Sequence, residues 1–182
     1  MHPLFTFSHL HRAPIRYDVS RTPTPRVVLD YITHTPVPAH TLTQPATDPP
    51  ITAPNQLLLK SHKFPWTIAV TANLLPPLNG PGYFCWGPPA TNGVIANLDV
   101  LYAIHATLAI QVTPEEWESL GNGSTAERKV TRAYEKRCSV MGDREGGVRR
   151  VDWLGGKTHL VGIEVDRSSG RSIGKLVFAR IS

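Results

Sequence analysis

Asp152 and His159 are the residues of this sequence with the clearest potential for chemistry. They lie in residues 148–165 (VRRVDWLGGKTHLVGIEV), where two runs of strand-forming residues flank Gly155 and Gly156. A Gly-Gly pair suits the positive φ angles of a two-residue turn, so this stretch is predicted to be a β-hairpin with Asp152 opposite His159. A carboxylate in that position fixes the tautomer of the imidazole and raises its basicity.

This pair alone does not make an active site. Catalysis would also need a nucleophile or a substrate pocket, and no Ser or Cys can be placed beside the pair from the sequence. A cross-strand charge pair stabilises a sheet by about 0.2 to 1 kcal/mol, which is a sufficient structural reason for both residues. We therefore favour a structural role for Asp152 and His159, and a hydrolase-like activity is the third hypothesis.

The other histidines do not follow a metal-binding pattern. His9 and His11 are separated by one residue, and His34 and His40 lie in a proline-rich segment, so they supply no set of four ligands. The sequence also has no complete phosphate-binding loop or nucleophile motif. We expect neither a metal nor a cofactor.

Basic residues near the C-terminus make nucleic acid an alternative ligand. The chain has 182 residues and a formal net charge of +5, and its C-terminal third contains Arg149, Arg150, Lys157, Arg167, Arg171, Lys175 and Arg180. Trp153 could stack on a base beside these cations. Asp152, Glu164 and Asp166 interrupt the patch, so a sheet edge of mixed charge is the favoured interpretation.

An aromatic loop offers a second binding surface. Tyr83, Phe84 and Trp86 lie among Pro and Gly residues in the segment 74–92. Aromatic side chains in such a loop can hold a peptide or a sugar, but more often they fold back onto the core of their own domain. The candidate partner-binding residues are accordingly Tyr83, Phe84, Trp86, Arg149, Arg150 and Trp153.

Alternation of apolar residues, turn signals and helix caps place the regular elements. Strands are predicted at residues 26–32, 64–71, 148–154, 157–165 and 175–181. A helix that starts at Asn97 has a stripe of apolar residues that recur at three- and four-residue spacing up to Leu108. Thr113 with Glu116 and Ser124 with Glu127 form capping boxes, which predict helices to about residues 120 and 140.

The proline content divides the chain. All but one of the 17 prolines lie within residues 1–90. Since proline fixes φ and removes a backbone donor, residues 1–60 are predicted to be an extended or partly disordered region, followed by one domain at residues 61–182. We expect an α+β domain with an antiparallel or mixed sheet of four to five strands, with two or three helices packed mainly on one face.

The sequence also bears on the compartment. Cys85 and Cys138 are too few for a disulfide framework, which favours a reducing compartment. The most apolar window, residues 94–112, is interrupted by Asn97, Asp99 and His105, so no membrane span is expected. The N-terminal segment does not have the pattern of a signal peptide. We expect a cytoplasmic or nuclear protein.

Five motifs resemble those of a fungal domain family of unknown function that is frequent in mushroom-forming fungi. They are PWTIAV at 65–70, LDVLYAIHATL at 98–108, VTPEEWESL at 112–120, AYEKRC at 133–138 and RRVDWLGGKTHLVGIE at 149–164. The resemblance implies a small α+β domain behind a variable, proline-rich N-terminal region, and it implies no catalytic residues. The leading hypothesis is therefore a non-enzymatic binding or scaffold module with an unknown protein partner, and the oligomeric state stays open.

Overall fold

The computed structural model describes residues 1–8, 10–72, 93–142, 146–165 and 173–180. Within this part of the chain the fold is α+β, with a mixed sheet of six strands and four α-helices. The strands are β1 (Ile15–Asp18), β2 (Leu29–Asp30), β3 (Leu57–Ser61), β4 (Phe64–Val70), β5 (His159–Val165) and β6 (Ile173–Ala179). The helices are α1 (Ala39–Leu42), α2 (Asn97–Ala109), α3 (Pro114–Glu118) and α4 (Thr125–Met141), and a 3-10 helix spans Arg150–Leu154.

The order of strands across the sheet is β2-β1-β5-β6-β3-β4. Neighbouring strands are antiparallel except β3 and β6, which pair in parallel. The sheet therefore has six strands rather than the four to five that were expected. The strands that the sequence did not predict are β1 and β3, whereas β2 lies within the strand predicted at residues 26–32. Both β1 and β3 are short enough to fit between the prolines of this part of the chain.

Residues before position 60 take part in the same core as the rest of the described chain. Phe5, Ile15 and Tyr17 are fully buried in the main cluster of apolar side chains. The Phe5 carbonyl accepts a hydrogen bond of 2.7 Å from the amide of Ile163 in β5. Proline limits the length of regular structure but does not prevent burial, so the segment is more ordered than its composition indicates. The division at residue 60 stays a prediction.

The predicted helix starts are confirmed at two of three helices. Thr113 Oγ1 accepts the Glu116 amide at 3.2 Å, and Ser124 Oγ accepts the Glu127 amide at 3.0 Å. The expected cap of α2 is wrong by one residue, because Ala96 is the N-cap. Asn97 is instead fully buried, and its Nδ2 donates to the Thr41 carbonyl at 2.7 Å. The apolar stripe of α2 is buried as expected.

The predicted hairpin at residues 148–165 is wrong in its first half. Arg150–Leu154 forms a 3-10 helix that ends at Gly155, where φ is +58°. Asp152 favours this turn because its carboxylate accepts the Arg149 amide at 2.9 Å. Only the second half forms a strand, and β5 pairs with β1 and β6. The strand predicted at residues 175–181 corresponds to β6.

Candidate functional site

A short two-stranded ribbon outside the main sheet positions the candidate site. The Val112 amide donates to the Val148 carbonyl at 2.9 Å, and the Arg150 amide donates to the Ile110 carbonyl at 2.9 Å. These bonds hold the connection between α2 and α3 against the residues that enter the 3-10 helix. The ribbon therefore fixes α3 and the 3-10 helix side by side.

An open groove lies along this ribbon. Its volume is about 580 Å³, and its described lining residues are Gln111, Val112, Thr113, Pro114, Trp117 and Val148. The half-buried indole of Trp117 supplies an aromatic wall. None of these lining residues has a titratable side chain, so they cannot form an acid–base pair. The lining suits an apolar or uncharged group, and the volume lies within the range of ligand-binding clefts, about 300 to 1,000 Å³.

Beside the groove, two tryptophans and an ion pair form the Trp66 cluster, which we define as Trp66, Glu116, Arg150 and Trp153. The Trp66 indole Nε1 donates to Glu116 Oε1 at 2.6 Å, and Arg150 Nη2 donates to the same oxygen at 2.5 Å. The Arg150 guanidinium carbon lies 4.7 Å from the centre of the Trp66 ring, and the Trp153 ring meets Trp66 edge-on at 5.1 Å. Glu116 is therefore held by β4 and by the 3-10 helix at once.

The electrostatics of this cluster keep Glu116 ionised. Partial burial acts to raise the pKa of Glu116, but hydrogen bonds from Arg150, the Thr113 backbone and Trp66 together outweigh it and lower that pKa. The side chains of Arg150 and Glu116 are only 17% and 18% exposed, so water screens their interaction weakly. Near neutral pH this carboxylate is charged and held by three donors, so it positions α3.

Asp152 belongs to a buried ion pair with Arg137 on α4. Arg137 Nε donates to Asp152 Oδ1 and Nη2 donates to Oδ2, both at 2.9 Å, while Nη2 also donates to the Gly147 carbonyl at 2.8 Å. The side chains of Arg137 and Asp152 are 7% and 2% exposed. Their bidentate geometry ties α4 to the 3-10 helix. The role of the pair is structural, and the Asp152 carboxylate already accepts hydrogen bonds from Arg137 and from the Arg149 amide.

His159 lies in a different environment, on β5 opposite Asp18 of β1. Burial is the largest influence on this imidazole and lowers the pKa of His159, against the opposing effect of the Asp18 carboxylate; Arg16 adds to the lowering. The ring is therefore neutral near pH 7. Because Asp152 does not face His159 across a hairpin, the geometric basis of the hydrolase hypothesis is gone.

The predicted binding residues lie in different parts of the structure, and some lie outside the described residues. Arg150 and Trp153 come together in the Trp66 cluster, whereas Arg149 contributes its backbone amide to Asp152. Tyr83, Phe84 and Trp86 lie outside the described residues. Sequence reasoning did not assign the groove or the cluster roles of Trp66 and Glu116. Glu116 was recognised only as a capping residue, and nothing local in the sequence relates it to Arg150.

A basic patch, defined as Lys60, Lys63, Lys157 and Lys175, lies around His62. A cavity of about 470 Å³ there is lined in part by Lys60, His62 and Lys175. Desolvation, followed by the positive charges of Lys63, Lys175 and Lys157, lowers the pKa of His62. Lys175 also forms an ion pair of 3.0 Å with Glu164. The patch shares Lys157 and Lys175 with the predicted one. Arg150 is bonded to Glu116 instead, and Arg167 and Arg171 lie outside the described residues.

The described residues contain no group of three or more His, Cys, Asp or Glu side chains that could hold a metal ion. None of their helices combines the length and the apolar character needed to cross a bilayer.

Comparison with known proteins identifies the family of this chain. No curated protein and no solved structure matches the chain. A model described as "Family of unknown function (DUF6699)" matches residues 15–171, from the start of β1 to beyond the end of β5. That description names neither an activity nor a source organism, so fungal origin stays a prediction. The chain belongs to this family, DUF6699.

Proposed function

We propose that this protein is a non-enzymatic binding module that holds an apolar segment of a partner protein in the groove along Trp117. The proposal depends on one observation, an open groove of about 580 Å³ whose described lining is apolar or uncharged. Such a groove gains binding free energy by removing apolar surface from water, at about 25 cal/mol per Å². Acid–base chemistry would need titratable side chains in the lining, and the described lining has none.

The surroundings of the groove suit recognition by a rigid surface. Thr113 lines the groove and is also bonded to Glu116, whose carboxylate is held by Trp66 and Arg150. A wall that is already ordered loses little conformational entropy when a ligand binds, which favours affinity. Trp117 provides the large aromatic contact that is common at the centre of protein interfaces. We expect the ligand to insert one aliphatic or aromatic side chain beside it.

Selection from a displayed library of random peptides tests this proposal. Selected peptides should share an apolar anchor, and Trp117→Ala should weaken their binding by at least about tenfold, the effect of a hot-spot residue. Val140→Ser on α4 is the matched control, because Val140 is 70% exposed and does not line the groove. Peptides that bind Trp117→Ala and the wild type equally well would refute the groove as the binding site.

Nucleic acid is the second candidate ligand, and the basic patch around His62 supports it. Three lysines act electrostatically on one imidazole beside a cavity whose lining includes Lys60 and one carboxylate, Glu164, so positive charge predominates there and suits phosphate groups. The test is binding of a labelled single-stranded oligonucleotide at increasing salt. Affinity should fall steeply with salt and drop in Lys60→Glu/Lys63→Glu. Absence of binding at low ionic strength would remove this candidate.

A further inference from the structure

Two turns of the N-terminal region expose aliphatic side chains at their tips. In the first, Ser8 and His11 exchange backbone hydrogen bonds of 2.9 and 3.2 Å, and Leu10 between them is 88% exposed. In the second, Asp30 Oδ1 accepts the amides of Ile32 and Thr33 at 2.9 and 2.8 Å. Ile32 in that turn is 79% exposed. Both apolar side chains thus project from hydrogen-bonded turns rather than from loose chain.

The two turns lie at the same end of the antiparallel pair β1–β2, because one precedes β1 and the other follows β2. The guanidinium carbon of Arg12, two residues after Leu10, lies 4.1 Å from the centre of the Tyr31 ring, and Tyr31 precedes Ile32. The Tyr31 amide also donates to the Pro14 carbonyl at 2.8 Å. Leu10, Tyr31 and Ile32 are three of the six large apolar residues that are exposed in the described chain. Their clustering at one end of β1 and β2 indicates a surface rather than scattered exposure.

The flanking charges are mainly positive. Arg12 lies against Tyr31, and Arg16 Nη1 donates to His34 Nδ1, two residues after Ile32, at 3.0 Å. Asp30 is the acidic residue of this turn, and its carboxylate oxygen is directed at the backbone amides that it accepts. The outward surface therefore presents two aliphatic tips, one tyrosine and two guanidinium groups. We name Leu10, Arg12, Arg16, Tyr31 and Ile32 the two-tip surface.

We propose that the two-tip surface docks on the face of an anionic lipid bilayer. Leu10 and Ile32 enter the boundary between headgroups and acyl chains, while Tyr31 and the two arginines lie at the level of the headgroups, where aromatic and basic side chains are favoured. The shape distinguishes a bilayer from a protein partner. Two convex tips need two matching pits on a folded partner, whereas a fluid bilayer adapts to them. This site is independent of the groove along Trp117.

Co-sedimentation with lipid vesicles tests this proposal. The full chain is mixed with vesicles of phosphatidylcholine alone and with vesicles that also contain phosphatidylserine. We expect binding to the anionic vesicles, weakening as salt is added, and little binding to the neutral ones. Leu10→Ser/Ile32→Ser should reduce binding to anionic vesicles by at least about tenfold, because each methylene inserted contributes to affinity. Val140→Ser, which removes another exposed apolar side chain, should bind like the wild type.

Four results would overturn the proposal. One is failure of the wild type to bind anionic vesicles at low ionic strength. Another is equal binding by Leu10→Ser/Ile32→Ser, which would indicate electrostatic adsorption without insertion. Binding unaffected by Arg12→Gln/Arg16→Gln would remove the role of the guanidinium groups. Binding of an acidic peptide through this surface, with no binding to vesicles, would assign it to a protein partner. Unfolding curves establish that the variants stay folded, as expected for such exposed side chains.

Discussion

Replacing Asp152 with asparagine should destabilise the fold strongly, although asparagine has nearly the same shape. The substitution removes the negative charge but leaves the Arg137 guanidinium in place, with its side chain 7% exposed. An asparagine oxygen can accept only part of what the carboxylate accepts from Arg137 and the Arg149 amide. The main cost is therefore a buried cation that has lost its counter-charge.

Breaking a buried ion pair by removing one partner costs about 3 to 5 kcal/mol. Since asparagine keeps some of the hydrogen bonding, we expect Asp152→Asn to lower the free energy of unfolding by about 3 kcal/mol, at the lower end of that range. For a chain of this size each kcal/mol corresponds to roughly 2 to 4 °C, so the melting temperature should fall by about 6 to 12 °C.

Urea and thermal unfolding, followed by circular dichroism, provide the measurement. The control is Glu164→Gln, which breaks the pair with Lys175, a side chain that is 54% exposed. That substitution should cost no more than about 1 kcal/mol, because water and salt screen an exposed pair. A cost below about 1 kcal/mol for Asp152→Asn would refute the reasoning.

A double-mutant cycle separates the pair from its surroundings. Arg137→Met alone should also be costly, because it leaves the Asp152 carboxylate buried without its bidentate donor. Combined with Asp152→Asn it should cost less than the sum of the two single substitutions, by about 1 to 3 kcal/mol. Simple additivity would mean that the two groups do not act as one unit.

Three further outcomes are expected. Burial lowers the folded pKa of His159 below its ordinary value of 6.5. The contribution of the neutral ring to stability is therefore present above pH 6.5 and is lost as the pH falls towards the folded pKa. His159→Gln should accordingly reduce the pH dependence of unfolding below pH 6.5. Glu116→Gln should cost about 1.5 to 3 kcal/mol, the value of hydrogen bonds to a charged group, and should alter the emission of Trp66. Gly162→Ala should cost about 2 kcal/mol or more, because an added Cβ would lie 2.7 Å from the Phe7 Cβ.

Each of these three predictions has its own control or contradicting result. Unchanged pH dependence in His159→Gln would show that another group is responsible. The Glu116 contribution should be lost in the wild type as the pH falls through its lowered folded pKa, and acid-independent tryptophan emission would contradict it. Gly123→Ala is the comparison for Gly162→Ala, because φ is positive at both glycines, +70° and +152°, but nothing lies within 4 Å of an added Cβ at Gly123. Equal losses at both glycines would mean that backbone strain, and not the close approach of Phe7, sets the cost.

Local signals predicted local structure well. The caps at Thr113 and Ser124 depend on residues three positions apart, and both form as expected. The strand predicted in the first half of the hairpin was wrong, because the outcome there depends on a contact with a distant residue. Apolar residues before a Gly-Gly pair fit either a strand or a short helix, and the choice is made by Asp152, which bonds to Arg137 on another element 15 residues away. No pattern within the hairpin sequence contains that contact.

The candidate site was hardest to predict because its partners are distant in sequence. Trp66 and Glu116 are 50 residues apart, and Glu116 and Arg150 are 34 apart. Each residue has a sufficient local explanation as a strand, cap or surface residue, so nothing in the sequence relates them. The N-terminal region presents the same difficulty, since the burial of Phe5 depends on its contact with Ile163 in β5.

The position of β6 has a consequence for the synthesis of the protein. This strand follows all the others in the chain, yet it lies between β5 and β3 and joins β2-β1-β5 to β3-β4. Without β6, the strands that precede it in the chain fall into two groups, β2-β1-β5 and β3-β4, and each group has an edge where β6 will pair. Open edges pair readily with other chains. The interval during synthesis before β6 becomes available is therefore when these edges are most exposed to aggregation, and when a chaperone would protect them most.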